Sequence, residues 1–394
     1  MTTIAWTQSP EFMALYSDAL NWGGSVPGVA DAAEFEASSA TNITIDDARS
    51  VAQWVFNPGA TQYNFDIAAT GSLDFEGSGI TINAGSLHII NFGELLFRGT
   101  AGGALIDDFG EIDFGSSSSA GAATIHTFGG GALSGIIGAS VVNFWGNSTG
   151  GSAQFITDAG GVVDFSRSLG PDRLGHITAG SIAGAGTYLL GGDQLTVGLN
   201  GLSTEVSGPI EDGGVFGGIF ASLVKVGPGR LKLSHAGNTY SFGTFLEAGK
   251  LDLAAVGAAG PDPITFSGPA TLAIENAALL GQVFGNAIDS FARHDVLDLV
   301  GLSFHKGATA KYHPATDILD VHSAGVTDVF TLVSPLGTHF VARKDGQGGT
   351  EVTLAPPRAA ATLASLSTDD VADQHWATDS AGSADHPSDF LFVA

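Results

Sequence analysis

A five-residue phrase recurs along the chain and restricts the possible folds more than any other feature. In it, a small residue precedes alternating apolar and polar positions, as in Gly93-Glu-Leu-Leu-Phe97 and Gly110-Glu-Ile-Asp-Phe114. The phrase occupies residues 71–75, 85–89, 93–97, 110–114, 140–144, 161–165, 229–233 and 249–253. Because side chains alternate between the two faces of a strand, each phrase predicts a strand with one buried and one solvated face.

The spacing of the phrases favours a repetitive stack of strands. Successive phrases lie about ten to thirty residues apart, which is typical of solenoids, where each repeat buries its inner side chains against its neighbours. We therefore predict an all-β chain folded as a right-handed parallel β-helix (a solenoid) with a β-rich C-terminal cap. The predicted inward residues are Leu73, Phe75, Leu95, Phe97, Ile112, Phe114, Val142, Phe144, Val163 and Phe165.

A β-sandwich is the alternative fold, since it also contains many short strands. The solenoid is preferred because the phrase resembles itself, whereas the strands of a sandwich need not resemble one another. Helical periodicity is nearly absent, with short helices predicted only at Phe12–Leu20 and Ala360–Leu366.

Changes in composition divide the chain into four parts. Residues 1–45 are predicted to be an N-terminal cap with the first coil, and residues 46–290 the solenoid. Residues 291–357 contain stronger, more charged strands and are predicted to form the C-terminal β-rich module. Residues 358–394 are rich in Ala, Ser and Asp and are predicted to be a flexible tail.

Charge and cysteine content exclude several classes of function. The net charge of -26 repels phosphate backbones, so nucleic-acid binding is not expected. The chain has 0 cysteines, which excludes disulfides and thiolate metal sites. Residues 1–19 lack a basic segment followed by an apolar core, so we predict no N-terminal export signal, and no membrane span is predicted.

Several segments resemble bacterial surface proteins. Residues 223–253 contain Lys225-Val-Gly-Pro-Gly-Arg-Leu231, Gly237-Asn-Thr-Tyr240 and Gly249-Lys-Leu-Asp-Leu253, and resemble the autotransporter-associated β-strand repeat. Ser119-Ala-Gly-Ala-Ala-Thr-Ile125 is similar to coils of passenger-type β-helices, and the segment from Asn21-Trp22 to Phe35 is similar to their first coil. Together these resemblances imply a β-helical exoprotein.

The C-terminal part departs from the autotransporter pattern. After residue 290 the chain has no room for the membrane barrel with which autotransporters end. Residues 295–350 instead look like modules near the C-termini of proteins exported by type I secretion. The last residues resemble a type I secretion signal formed by Asp389, Phe390, Leu391, Phe392 and Val393. This resemblance implies an extracellular location and the type I secretion machinery as a partner.

Candidate ligand sites are few. The loop Asp345-Gly-Gln-Gly-Gly-Thr350 makes Asp345 a weak Ca²⁺ candidate, although the tandem glycine-rich calcium repeat is absent. Asp107-Asp108 and Asp369-Asp370 are isolated acid pairs that favour solvated turns. The spacing of the C-terminal histidines matches no metal signature, so no cofactor or metal is otherwise expected; these histidines are His294, His305, His313, His322 and His339.

Two functional hypotheses remain open. The favoured one is a non-enzymatic structural or adhesion protein that presents a repetitive surface to an extracellular surface or a glycan. The alternative is a polysaccharide lyase or glycoside hydrolase, since such enzymes place carboxylates close together on one face. For that alternative the candidates are Glu94 and Asp113, which we expect to stack on adjacent coils. Outward acids such as Asp74 and Asp164 are equally expected on any solvated strand.

Overall fold

The computed structural model describes residues 1–7, 14–130 and 140–356. Their regular structure is almost entirely β-strand, so the prediction of an all-β chain is confirmed. Two 3-10 helices, Ala19–Trp22 and Asn276–Ala278, interrupt the strands. Residues 1–355 form one compact unit. The predicted helix Ala360–Leu366 and the predicted tail, residues 358–394, lie outside the described residues.

The strands are numbered in chain order. The first fifteen are β1 (Thr2–Ala5), β2 (Ala14–Leu15), β3 (Asp31–Phe35), β4 (Asn42–Ile45), β5 (Ala48–Phe56), β6 (Gln62–Ile67), β7 (Ser72–Ile82), β8 (Ser86–Asn91), β9 (Glu94–Phe97), β10 (Leu105–Asp108), β11 (Glu111–Phe114), β12 (Thr124–Thr127), β13 (Val141–Gly146), β14 (Gln154–Thr157) and β15 (Val162–Ser168).

The remaining strands are β16 (His176–Ala179), β17 (Ser181–Gly184), β18 (Thr187–Leu189), β19 (Gln194–Val197), β20 (Thr204–Val206), β21 (Ile210–Glu211), β22 (Ser222–Lys225), β23 (Arg230–Leu233), β24 (Thr244–Leu246), β25 (Gly249–Leu253), β26 (Ile264–Phe266), β27 (Ala270–Ile274), β28 (Leu279–Leu280), β29 (Val283–Asp289), β30 (Val296–Leu299), β31 (Thr309–His313), β32 (Ile318–Ser323), β33 (Val326–Val333), β34 (Phe340–Lys344) and β35 (Thr350–Leu354).

These strands form three sheets whose order follows the chain. Sheet A runs β1-β3-β5-β7-β9-β11-β13-β15-β18-β21, and sheet B begins β2-β4-β6-β8-β10-β12-β14-β17 and continues to β35-β34. Up to β15 the chain alternates between these two sheets. Sheet C starts at β16, and from β22 to β27 the chain alternates between sheets C and B. Apart from the short antiparallel pair β28–β29, all three sheets are parallel until the last strands.

Identical inward positions lie directly above one another in sheet A. Phe75, Phe97 and Phe114 pair in register on β7, β9 and β11, and Phe144 follows on β13. Neighbouring rings are nearly parallel, with centroids 5.0 Å apart between Phe75 and Phe97 and 4.8 Å apart between Phe114 and Phe144. The predicted inward residues of these phrases are all buried, to 1% exposure or less. That prediction is confirmed.

A row of polar side chains also lies in the interior, at the end of the strands of sheet B. Asn91, Asp108, Thr127 and Thr157 pair in register and are all 0% exposed. Asn91 Nδ2 donates to Asp108 Oδ1 at 2.8 Å, and the backbone amide of Gly110 donates to the same oxygen at 3.2 Å. The other oxygen, Asp108 Oδ2, is buried without a partner, as is Thr127 Oγ1.

The first two of these polar residues each open a tight corner that leads into sheet A. The corners Asn91-Phe-Gly93 and Asp108-Phe-Gly110 are followed by β9 and β11. A side chain at Gly93 would overlap the carbonyl oxygen of Gly71, and one at Gly110 would overlap that of Gly93. Glycine is therefore required here because backbones of successive corners are in contact.

The N-terminal residues cover the first strands with aromatic rings. Trp22 packs edge-on against Trp6 and Tyr16, with centroids 4.9 Å apart in both pairs, and its Nε1 donates to the Tyr16 carbonyl at 2.7 Å. The predicted helix Phe12–Leu20 is wrong for its described part: Ala14–Leu15 pairs with β4, and only a 3-10 helix follows, from Ala19. Pairing with β4 supplies backbone hydrogen bonds that a helix would have to form internally.

The parallel stacking stops at the C-terminal strands. β30 pairs antiparallel with β35, and β35 with β34; in sheet C, β33 pairs antiparallel with β32, and β32 with β31. Antiparallel hairpins cover the sheet ends, which would otherwise expose unpaired backbone groups. Among the described residues no helix has the length and apolarity needed to cross a membrane.

Burial raises the pKa of Asp108 to about 7. The unfolded chain releases this proton near pH 4, so between about pH 4 and 7 the folded state holds a proton that the unfolded state lacks. Stability must then fall as the pH rises through this window. We predict that Asp108→Asn is more stable than the parent by about 1–3 kcal/mol at pH 8 and equally stable near pH 4.

Urea unfolding at a series of pH values measures this difference. Asp107→Asn is the matched control, because Asp107 is the neighbouring outward carboxylate and pairs with His88 at 2.9 Å; it should leave the decline with pH in place. Identical pH profiles for the parent and Asp108→Asn would show that Asp108 is not the titrating group.

Candidate functional site on the outer face of sheet A

Carboxylates accumulate on the outer side of β7, β9 and β11, next to Asn143 of β13. Glu94 of β9 pairs directly with Glu111 of β11, and Asp113 pairs with Leu96 on one side and with Asn143 on the other. Asp74 lies one strand further along the same row, beside Leu96. We call Asp74, Glu94, Glu111, Asp113 and Asn143 the acidic face.

The two sequence candidates are neighbours but are not aligned. Glu94 and Asp113 lie on adjacent strands, as expected, but the register sets them diagonally, because Asp113 is two residues beyond the partner of Glu94. The residue opposite Glu94 is Glu111. Since one outward row holds Glu94 and Glu111 and the next holds Asp74 and Asp113, the acids form a patch rather than a single pair.

One amide joins two carboxylates of the acidic face. Asn143 Nδ2 donates to Glu111 Oε1 at 2.8 Å and to Asp113 Oδ1 at 3.0 Å. Asn143 is 5% exposed, so its orientation is set by packing. The two carboxyl groups are therefore held on either side of a single nitrogen.

The pKa values of three carboxyl groups in the patch are raised. For Glu111 the largest cause is burial, followed by the charges of Asp113 and Glu94. Burial is also the main cause of the raised pKa of Asp113 and of Asp74. Crowded, partly buried carboxylates favour proton retention, because each ionisation adds a like charge in a poorly solvated place.

Two arginines partly offset the rise in these pKa values, and they act at different ends of the acidic face. Arg167 lowers the pKa of both Glu111 and Asp113, whereas Arg98 lowers that of Asp74. Arg98 also contacts Glu76 at 2.7 Å. The guanidinium of Arg167 lies over the ring of Phe216, 5.1 Å from its centroid, which fixes its position at the edge of the patch.

Phe216 belongs to an exposed segment, residues 213–220, which we call the apolar loop. Its amides at Val215 and Phe216 donate to Asp164 Oδ2 at 3.1 Å and to Ser166 Oγ at 3.5 Å, so the loop lies on the outer side of β15. Asp164, expected to be solvated, is covered by this loop and only 1% exposed. Four large side chains of the loop face solvent, with exposures of 62% for Val215, 74% for Phe216, 63% for Ile219 and 60% for Phe220.

Sequence reasoning missed three residues of this site. Glu111 occupies the same place in its phrase as Glu94 does, so the repeat itself carried that signal. No sequence pattern pointed to Asn143 or Arg167. Asn143 is distant in sequence from its acidic partners, and its position depends on the register of β13. Chemically, the patch can hold a proton between carboxyl groups or bind a cationic group.

The Ca²⁺ candidate Asp345 lies in the turn between β34 and β35. Its Oδ1 accepts from the amides of Gln347 at 2.6 Å and Gly348 at 2.7 Å, a bonding pattern that organises the turn. Within residues 1–7, 14–130 and 140–356, no three His, Asp or Glu side chains are grouped as a metal site would require. Ca²⁺ binding at Asp345 stays a prediction.

The other singled-out residues are placed as follows. Tyr188 and Tyr240 are fully buried. Of the C-terminal histidines, His313 contacts Asp320 at 3.1 Å and His322 contacts Thr327 at 2.9 Å. The predicted secretion residues Asp389, Phe390, Leu391, Phe392 and Val393 and the pair Asp369-Asp370 lie outside the described residues.

Comparison of the chain with protein-family models, with curated proteins and with solved structures found no match in any of the three.

We predict that Arg167 and Arg98 affect the pKa values of different carboxyl groups in the acidic face. Arg167→Gln removes a positive charge near Glu111 and Asp113, so we expect the pKa of both groups to rise while that of Asp74 stays unchanged. Arg98→Gln is the matched control and, within the acidic face, should raise the pKa of Asp74 alone. Carboxyl ¹³C NMR titration of the parent and the two variants measures these shifts. A rise at Asp74 in Arg167→Gln would contradict the arrangement described here.

Proposed function

We propose that residues 1–355 form a right-handed parallel β-helix with a β-rich C-terminal cap. Three observations support this proposal: neighbouring strands in each sheet come from successive passes of the chain, the passes pair in parallel, and equal inward residues are in register. Crossover connections between parallel strands are nearly always right-handed. The antiparallel strands β31–β35 would be the cap.

We further propose that the protein is a secreted or cell-surface structural and adhesion protein without enzymatic activity. The observation that carries this proposal is the apolar loop, which presents four large apolar side chains to solvent. Contiguous exposed apolar side chains are costly in water and mark contact surfaces. The partner would be an extracellular surface or a glycan, bound without any chemical step.

The resemblance to the autotransporter-associated repeat is compatible with the contacts of its segment. Residues 223–253 include β22–β25, which alternate between sheets C and B. Lys225, the first residue of the resembling motif, is 1% exposed, and its Nζ donates to the carbonyls of Val226, Gly227 and Ala248 at 2.7, 3.0 and 3.2 Å. These bonds give the lysine of the motif a structural role, because they hold the corner between neighbouring strands.

Contact through the apolar loop is tested by replacing its large side chains. The variant Val215→Ser/Phe216→Ser/Ile219→Ser/Phe220→Ser should be retained at least about tenfold less on immobilised neutral glycans and on a methyl-terminated surface, because it lacks the apolar area that contact would bury. Leu280→Ser/Leu336→Ser is the control, since these residues are 75% and 74% exposed outside the loop. Equal retention of all three proteins would overturn the adhesive role of the loop.

Export is a separate proposal: the terminal residues Asp389–Val393 act as a type I secretion signal. Deletion of residues 388–394 should then abolish secretion in a host that carries a type I exporter, while the intracellular yield stays the same. Deletion of the equally long segment 376–382 provides the length control and should leave secretion in place. Unchanged export after the terminal deletion would contradict the proposed signal.

The alternative of a polysaccharide-degrading enzyme is favoured by one observation, the Glu111–Asn143–Asp113 arrangement with its raised carboxyl pKa values. Such carboxylates resemble the acid and base that glycan cleavage requires. Release of unsaturated products or new reducing ends from an acidic polysaccharide, lost on Glu111→Gln, would replace the non-enzymatic proposal by this one.

A further inference from the structure

A cavity of about 320 Å³ lies between the C-terminal elements. It is bounded by the second 3-10 helix, the β28–β29 turn, the segment after β30 and the β32–β33 hairpin. Its lining combines apolar side chains, including Leu279 and Leu302, with polar ones, including Asn276, Gln282 and Asp328. The acidic face is on sheet A, whereas this cavity is on sheets B and C, so the two sites are different.

Asp328 is the unusual group of this cavity. It lies on β33 opposite Val321 and is 3% exposed. No described residue donates a hydrogen bond to its carboxylate or forms an ion pair with it, and burial alone raises its pKa.

Each of the other buried aspartates of the described residues has at least one donor, although Asp108 Oδ2 and Asp252 Oδ1 have none. Asp164 accepts from two regions of backbone, Asp295 from the amides of Ala270 and Ala292, and Asp252 from Arg230. Asp108 accepts from Asn91 and Gly110. Asp328 is thus the one buried aspartate of the described residues to which no group of the chain donates, and a ligand in the cavity that it lines would supply that donor.

The neighbouring polar groups do not donate hydrogen bonds to Asp328. The Ser323 hydroxyl donates to the Ser303 carbonyl at 2.7 Å and accepts from the His305 amide at 2.9 Å. The side chain of Asn276 lies against Gly301, with its Nδ2 3.5 Å from that carbonyl oxygen. A ligand with N–H donors would therefore meet Asp328 as an unfilled, negatively charged acceptor.

We propose that this cavity binds a small organic cation of the alkylammonium class. The ammonium group would donate to Asp328, and the aliphatic stem would pack on Leu279 and Leu302. A cation is favoured by the net charge of -26, which raises the local concentration of positive solutes. A metal ion is disfavoured, because the described residues offer no group of three metal-binding side chains.

Isothermal titration of the full-length protein with n-butylammonium and with 1-butanol tests the proposal. The two probes have similar size and differ in charge. We expect saturable binding of n-butylammonium and at least about tenfold weaker binding of 1-butanol. Asp328→Asn should weaken n-butylammonium binding by a similar factor, whereas Asp320→Asn, on the adjacent strand β32, should leave it unchanged.

The comparison of the two probes uses the parent protein, so it stands even if Asp328→Asn fails to fold, which thermal unfolding will show. Absence of saturable n-butylammonium binding, equal binding of the two probes, or a folded Asp328→Asn that binds like the parent would each overturn the proposal. None of these results bears on adhesion through the apolar loop.

Discussion

Parallel stacking of like residues in register is the interaction on which the rest of this structure depends. Phe75, Phe97, Phe114 and Phe144 lie one above another, and each ring covers the next. A slip of one residue in any strand would turn these rings toward solvent, so burial specifies the register strongly. Everything on the outer faces inherits its position from this interior alignment.

The same alignment brings like charges together on the outside. Because Glu94 and Glu111 hold the same place in successive phrases, the register that stacks the phenylalanines also places the two carboxylates side by side. Asn143 and Arg167, which lie on later strands, offset this repulsion. The acidic face is thus partly a consequence of the repeated phrase. Its unusual feature is that two residues that do not recur from phrase to phrase, Asn143 and Arg167, offset the repulsion between the carboxylates.

The buried aspartates differ in the groups that donate hydrogen bonds to their carboxylates. Asp164 and Asp295 are satisfied by backbone amides, Asp252 by an arginine, and Asp108 partly by an asparagine in the interior row. Asp328 has no such partner among the described residues. The Asp328 carboxylate therefore depends on solvent or on a ligand in the adjoining cavity for its hydrogen bonds.

The sequence by itself determined the strands and their buried faces. Alternation within a phrase identifies the inward residues, and recurrence of the phrase indicates that like residues meet, so the all-β class and the core positions from Leu73 to Phe165 were predictable. It also indicated Glu94 and Asp113 as neighbours. Only the tertiary structure decided their diagonal register, the amide of Asn143 between Glu111 and Asp113, and the loop that covers Asp164. Periodicity reports which way a side chain points, whereas contacts between distant segments depend on the lengths and paths of the connections, which no local pattern encodes.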